Sequence, residues 1–281
     1  MDGIDDYVLL KNYLINRNSI DDIANNYINE NYIITQNKLT GFPRIIYEIC
    51  NIKTGKIFLY KINLNDKKML TGNKLLKNIN SEYFPKLYEY FDFSVNNNNN
   101  DIAVIEYVQG IDIFTFIKKF NYRENIMKMI VYNICIAIKY LHDMNIIHRD
   151  IKTENIIIDP KTYMIKLIDF DMAINVNPNT KSFKSHDCVG TDGFISKYTA
   201  QTLIYSCKSD VFALGIVIYE LATTGVPYIY DNDKFIYDEI VIDEKIFKNY
   251  IKLLDLIKKI LVTDIDLAPT IDQVLGHEWF I

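Results

Sequence analysis

The sequence predicts an α+β fold in two lobes, a small antiparallel β lobe followed by a larger, mainly helical one. Three observations carry this. Short apolar runs broken by Gly, Pro and Asn fill the stretch from Tyr32 to Tyr60, helical spacing dominates beyond Ile111, and the change from one to the other happens once, with no internal repeat. At 281 residues the chain exceeds an ordinary single core and suits one large or two-lobed unit.

Taken in order, residues 1–31 form an N-terminal extension, expected to be helical because Val8, Leu9, Tyr13 and Leu14 recur at helical spacing. Residues 32–105 make the small lobe. Its strands are expected at Tyr32–Ile34, Ile45–Tyr47 and Ile57–Tyr60, with Thr54-Gly55-Lys56 as a turn. A short helical patch, Lys74–Ile79, precedes two more strands at Leu87–Phe93 and Ile102–Tyr107. The Asn96–Asn100 run between them reads as a solvated hairpin loop. Residues 106–281 make the large lobe, with amphipathic helices expected at Ile126–His142, Val211–Thr223 and Tyr250–Val262.

Composition excludes several classes. Hydrophobic residues make up 49% and charged residues 24%, enough burial for a globular state. A net charge of −5 argues against a nucleic-acid ligand. The longest apolar stretch, Val211–Tyr219, falls short of the about 20 residues a membrane span takes. Cys50, Cys135, Cys188 and Cys207 form no C-x-x-C pair and no zinc spacing, so they read as reduced thiols of an intracellular, cytoplasmic protein.

The informative segment is His148-Arg149-Asp150-Ile151-Lys152-Thr153-Glu154-Asn155. An apolar strand, Ile156-Ile157-Ile158, follows it. Asp159-Pro160-Lys161-Thr162 then turns the chain, since Pro presets φ. The returning strand, Met164–Ile168, delivers Asp169-Phe170. Such a hairpin brings the amide oxygen of Asn155 and the carboxylate of Asp169 to one end, where both could ligate Mg²⁺. Asp150 and Lys152, two apart in an extended loop, can face one side. There the carboxylate accepts a hydroxyl proton and the ammonium steadies a moving phosphoryl group.

These residues resemble the catalytic loop and metal motif of the eukaryotic-type protein kinase family, and Lys152 resembles its serine/threonine branch. The resemblance covers roughly Tyr32 to Ile281 and implies a protein kinase-like fold, with ATP and Mg²⁺ as cofactors and Mn²⁺ as an alternative metal. It implies Asp150 and Lys152 as catalytic residues, and Asn155 and Asp169 as metal ligands. Thr54–Lys61 is similar to the strand carrying the phosphate-binding lysine, here Lys61. Ile105-Glu106-Tyr107-Val108 resembles the hinge that binds adenine, and Asp112 matches the ribose position. Gly41, Ile46, Leu59, Glu106, Val108, Asp112 and Ile157 join Lys61 in the implied ATP site. Gly190-Thr191-Asp192-Gly193-Phe194 resembles a peptide-docking loop. Lys208–Gly215 looks like the central helix, where Asp210 would anchor the catalytic loop, and Leu275–Phe280 resembles the closing helix, with a structural Trp279.

The sequence also departs from the family. Of the three positions of the glycine-rich loop, occupied by Leu39, Gly41 and Arg44, only Gly41 keeps the glycine, and Leu59 narrows the adenine slot. The glutamate expected to pair with Lys61 falls at Gly72, which predicts a less firmly held lysine. Aspartate replaces glycine in Asp169-Phe170-Asp171, a substitution that tolerates unusual φ. Ser196-Lys197-Tyr198 and Ala268 replace both partners of a buried ion pair of the family, a paired loss that can be neutral. Asp187 lies near an activating phosphosite of many kinases, where Arg149 could bind it. The weighed alternative, an exposed loop aspartate, is the favoured one. Ser182 and Ser185 are candidate phosphosites.

The function implied by the resemblance is transfer of the γ-phosphoryl group of ATP to a Ser/Thr hydroxyl of a protein. The alternative is a pseudokinase scaffold, motivated by Gly72 and the eroded loop. Asp112, Glu154 and Glu220 match positions implying basic peptides as substrates. A monomer is expected, with an activating partner left open, and residues 5–30 are candidates for bracing the small lobe. Compactness and the Asn/Ile/Lys/Tyr bias resemble small kinases of large insect DNA viruses, which implies action in host cell cytoplasm or the virion.

Overall fold

The computed structural model describes residues 31–40, 44–63, 72–95, 98–231 and 234–281, so the expected N-terminal helix and Gly41 lie outside the described residues. The described residues up to Ile79, with Pro85–Tyr107, form one compact unit. Asn80–Phe84 with Val108–Ile281 form a second.

The first unit is an antiparallel sheet of β1 (Tyr32–Thr40), β2 (Arg44–Asn51), β3 (Ile57–Asn63), β4 (Leu87–Val95) and β5 (Asn98–Glu106), ordered β1-β2-β3-β5-β4. The β2–β3 turn is stapled by Asn51. Its side-chain oxygen accepts the N–H groups of Lys53 and Thr54, and its own N–H donates to the Lys56 carbonyl. Period-two alternation then sorts β3. Phe58, Tyr60 and Ile62 enter a core with Tyr47, Ile49, Ile102 and Val104, while Leu59 and Lys61 take the other face. Each such large side chain contributes roughly 1.5–3 kcal/mol when fully buried.

The asparagine run is not all loop. Phe93 pairs with Asn100, Ser94 with Asn99 and Val95 with Asn98, so the β4–β5 ladder reaches Asn98. Ladder bonds come from the backbone, so a polar run can sit in a strand. The expected helical patch is a 3₁₀ helix, Gly72–Asn78, with Gly72, Asn73, Leu75 and Leu76 buried, matching its three-residue turn.

The second unit contains β6 (Ile111–Asp112), α1 (Ile113–Lys119), α2 (Glu124–Asp143), β7 (Ile146–Ile147), β8 (Ile156–Ile158), β9 (Ile165–Leu167), β10 (Ile174–Asn175) and β11 (Ser182–Lys184). It continues through α3 (Lys197–Thr202), β12 (Ile204–Ser206), α4 (Cys207–Thr223), β13 (Tyr228–Asp231), β14 (Lys234–Ile240), α5 (Ile251–Ile260) and α6 (Ile271–Leu275). On α2, Met127, Ile130, Val131, Ile134, Ala137, Ile138 and Leu141 form the buried stripe that the sequence pattern predicts. α4 is buried from Asp210 to Leu221, the signature of a central helix, and a capping box of Ser206 and Ser209 starts it. Trp279 is fully buried and donates its indole N–H to Glu124 at 2.8 Å, tying the last turn to the start of α2. The four cysteines are free thiols, and no described helix is long and apolar enough to cross a membrane.

Candidate active site

The expected hairpin forms as β8–β9, with Ile156 opposite Leu167 and Ile158 opposite Ile165. Its turn is closed by Tyr163 N–H on the Asp159 carbonyl, and the Asp159 side chain accepts Lys161 N–H and the Thr162 hydroxyl. At the open end, Ile168 N–H donates to the Asn155 carbonyl at 2.8 Å. Asn155 and Asp169 therefore flank the same end of the hairpin.

Asp169 is left-handed (φ 64, ψ 75) and is followed by a 3₁₀ turn, Phe170–Met172. Here the structure corrects the expectation for Asp171. The unusual φ belongs to Asp169, while Asp171 sits buried inside the turn and is absent from the positive-φ residues. Aspartate in place of glycine therefore meets no backbone strain. Phe170 locks the turn, edge-on to Phe84 at 5.7 Å and to the His148 ring at 5.1 Å.

Asp150 is the hub. Asn155 Nδ2 donates to both its backbone carbonyl and its Oδ2 at 2.8 Å, and Lys152 Nζ lies 3.2 Å from Oδ2. The Thr191 hydroxyl donates to Oδ1 at 2.6 Å and accepts from Lys152 Nζ at 2.6 Å. A carboxylate offers about four acceptor sites. Three are used, and the one left on Oδ1 is free to take a further hydroxyl.

Asp210 holds this loop from below. Its Oδ2 accepts His148 N–H at 2.9 Å and lies 3.0 Å from His142 Nε2, while Oδ1 accepts Arg149 N–H at 2.9 Å. Burial pushes the His142 imidazolium down, but hydrogen bonds to Asp210 and Cys207 outweigh it and lift the pKa to about 9. His148 Nδ1 accepts Asp150 N–H at 3.3 Å, so Nε2 carries the proton and donates to the Ile168 carbonyl at 3.1 Å. One imidazole thus ties the Asp150 loop to the strand leading to Asp169.

Thr191 is delivered by Gly190. Its φ is +113, and a Cβ there would fall 2.7 Å from the Arg149 carbonyl, so only glycine fits. Arg149 donates from Nε to the Met172 carbonyl at 2.6 Å. Asp187 is exposed. Burial holds the Arg149 pKa below its ordinary value.

The remaining expected residues are divided. In the first unit, Lys61 lies opposite Ile46 on β2 and Ala103 on β5, and Leu59 lies opposite Glu48 and Ile105. Lys61 is buried and interacts with a neighbouring group, so glycine at position 72 does not leave it without a partner. Glu106 N–H donates to the Lys86 carbonyl, and its carboxylate accepts Lys86 N–H. In the second unit, Val108 is half-buried and Asp112 pairs with Ile157 across β6–β8. Asp112 also caps α1, accepting Thr115 N–H at 2.7 Å and the Thr115 hydroxyl at 2.8 Å. Sequence reasoning missed this role, although aspartate three residues before threonine signals it. It missed Gly110 too, where a Cβ would meet the Ile158 carbonyl at 2.5 Å.

Glu220 on α4 accepts the Thr153 hydroxyl at 2.9 Å, and that hydroxyl lies 3.3 Å from Glu154. Burial raises the Glu220 pKa to about 7, offset in part by Thr153 and reinforced by the Glu154 charge.

Among the described residues, no cluster of three or more His, Cys, Asp or Glu forms a metal cage. Asn155 spends its NH₂ on Asp150, which leaves its amide oxygen as the outward acceptor beside the Asp169 end of the hairpin. One amide oxygen and one carboxylate fit a hard cation that keeps water and phosphate as its other ligands.

A protein kinase domain model matches residues 43–280. The chain is 29% identical over 258 residues to the cAMP-dependent protein kinase catalytic subunit of Dictyostelium discoideum, covering 86% of this chain and 38% of that protein. It is 30% identical over 207 residues to human putative 3-phosphoinositide-dependent protein kinase 2, covering 72% and 51%. Against serine/threonine-protein kinase PSK2 of Saccharomyces cerevisiae it is 33% identical over 172 residues, covering 60% and 15%. The chain thus spans about half or less of these relatives. A crystal structure of Rad53 1-466 in complex with AMP-PNP superposes with a TM-score of 0.72 at 23% identity, covering 90% of this chain and 66% of that one.

Proposed function

This chain belongs to the protein kinase domain family, and we propose that it is an ATP-dependent serine/threonine kinase acting on proteins. One observation carries the proposal: Asp150, Lys152, Asn155 and Thr191 form a single hydrogen-bonded network with one acceptor site on Asp150 left open. In that site Asp150 orients the Ser/Thr hydroxyl and takes its proton, while Lys152 offsets charge on the phosphoryl group in flight. Thr191 keeps the two side chains in register. Asn155 and Asp169 would hold Mg²⁺, or Mn²⁺ in its place, which offsets charge on the nucleotide phosphates. By family resemblance, Lys61, Gly41, Ile46, Leu59, Glu106, Val108, Asp112 and Ile157 match nucleotide-contacting positions of the family.

The test is phosphate transfer from labelled ATP with Mg²⁺, against Asp150→Asn and Lys61→Met. Phosphoserine or phosphothreonine formed by the wild type and lost in both variants is the expected result. ATP-dependent thermal stabilisation without transfer overturns it in favour of a nucleotide-binding scaffold, the reading that the missing glutamate at Gly72 supports.

The proposed substrates are peptides with basic residues near the target hydroxyl. Glu154 is exposed and shares the buried Thr153 hydroxyl with the buried Glu220, so two carboxylates converge there from the surface inward. An acidic or proline-directed preference on a peptide array removes this part. The Asn/Ile/Lys/Tyr bias supports a place among kinases of large insect DNA viruses, with action in the host cytoplasm. A secreted or nuclear signal on immunofluorescence of infected cells overturns that assignment.

A further inference from the structure

The Arg149 guanidinium lies against two aromatic rings, its carbon 5.7 Å from the Phe183 centroid and 5.3 Å from the Tyr205 centroid. The rings come together because β11 and β12 pair antiparallel, with Phe183 directly opposite Tyr205. Ser185 N–H extends this pairing by donating to the Leu203 carbonyl at 2.8 Å. Tyr205 is buried, and its hydroxyl is doubly used. It accepts Val189 N–H at 2.7 Å and donates to the Val189 carbonyl at 2.7 Å. One residue further, Gly190 packs on the Arg149 carbonyl, and Thr191 then reaches Asp150 and Lys152. Arg149 itself precedes Asp150 in the chain. Both approaches to the Asp150–Thr191 contact therefore pass through this clamp.

A partly buried guanidinium such as that of Arg149 needs compensation for lost water. Here the Phe183 and Tyr205 ring faces and the Met172 carbonyl supply it, beside the favourable charge of Asp210. We propose that Phe183 and Tyr205 are positioning residues for the transfer reaction. The rings seat Arg149, and the Tyr205 hydroxyl fixes Val189 so that Thr191 meets Asp150. This rests on the kinase reading above, and it concerns residues outside the reacting shell.

Three variants test it: Phe183→Leu, Phe183→Tyr and Tyr205→Phe, read by peptide kinetics and by amide exchange at Val189. Phe183 is 38% exposed, so its replacement should spare the fold. Phe183→Leu removes a ring face and should lower kcat about tenfold with the KM for ATP held, because small misplacements near the reacting groups cost rate. Phe183→Tyr restores the ring and should recover kcat. Tyr205→Phe keeps the ring but loses both bonds to Val189, so that amide should exchange faster and kcat should fall. Wild-type kcat in both Phe183→Leu and Tyr205→Phe, or unchanged Val189 exchange in Tyr205→Phe, overturns the proposal. Should the wild type itself transfer no phosphate, the kinase reading falls separately. Exchange at Val189 and Thr191 then decides the clamp, faster exchange supporting it and unchanged exchange overturning it.

Discussion

His142 Nε2 and Asp210 Oδ2 lie 3.0 Å apart in a site where both side chains are almost fully buried. The same carboxylate carries the backbone of His148 and Arg149, so the charge state of His142 bears on the loop that presents Asp150. The folded pKa of about 9 stands above the unfolded value of 6.5. The pair's contribution is therefore fully present below pH 6.5 and lost as pH rises through about 9. The unfolding free energy read from denaturation curves between pH 6 and 10 should fall by on the order of 3 kcal/mol from this pair. His142→Phe should be less stable at pH 6 and show a flatter profile.

Thr191→Val keeps the shape of the side chain and deletes the hydroxyl that bridges Asp150 and Lys152. Peptide kcat should drop about 10- to 100-fold, while stability changes by only ~1 kcal/mol. Thr191→Ser should restore most of the rate.

Gly190→Ala places a methyl group 2.7 Å from the Arg149 carbonyl at a φ of +113. Strain of this kind costs about 1–3 kcal/mol. The melting temperature should fall, and activity should fall further, because relief requires Thr191 to move away from Asp150.

Glu220 titrates with the opposite consequence for binding. Its folded pKa of about 7 exceeds the unfolded 4.5, so its contribution to stability is present below 4.5 and lost as pH rises through about 7. Glu220→Gln should accordingly raise the melting temperature at pH 8 and leave it nearly level at pH 4.5. A basic peptide prefers the ionised form, so its KM should fall as pH rises through 7, and Glu220→Gln should abolish that trend.

What could be read in advance was mostly local in sequence. The α+β class, the hairpin from Ile156 to Leu167 and the loop from His148 to Asn155 depend on neighbours, and each was legible from spacing and turn chemistry. The Phe183–Tyr205 pairing is long-range, and no periodicity announces two three-residue strands. Asp187 is exposed, the favoured expectation, whereas the two rings beside Arg149 carried no signal in the sequence. The β13–β14 hairpin was also missed. Asn98–Asn100 misled because composition reports polarity, whereas strand pairing is a property of the main chain.

The five residues Asn80–Phe84 belong to the second unit although residues of the first unit stand on both sides of them. Tyr83 accepts the Leu167 N–H, Lys166 donates to the Phe84 carbonyl, and Phe84 packs on Tyr140 and Phe170. A gene fragment beginning at Val108 therefore lacks the ring that packs on Tyr140 and Phe170 and the carbonyls that accept from Lys166 and Leu167. On the ribosome the plug is synthesised long before its socket, so the helical unit can mature only by reaching back to a peptide already made. Supplying that peptide in trans to the truncated chain should improve its folding, as a missing wedge does for an arch.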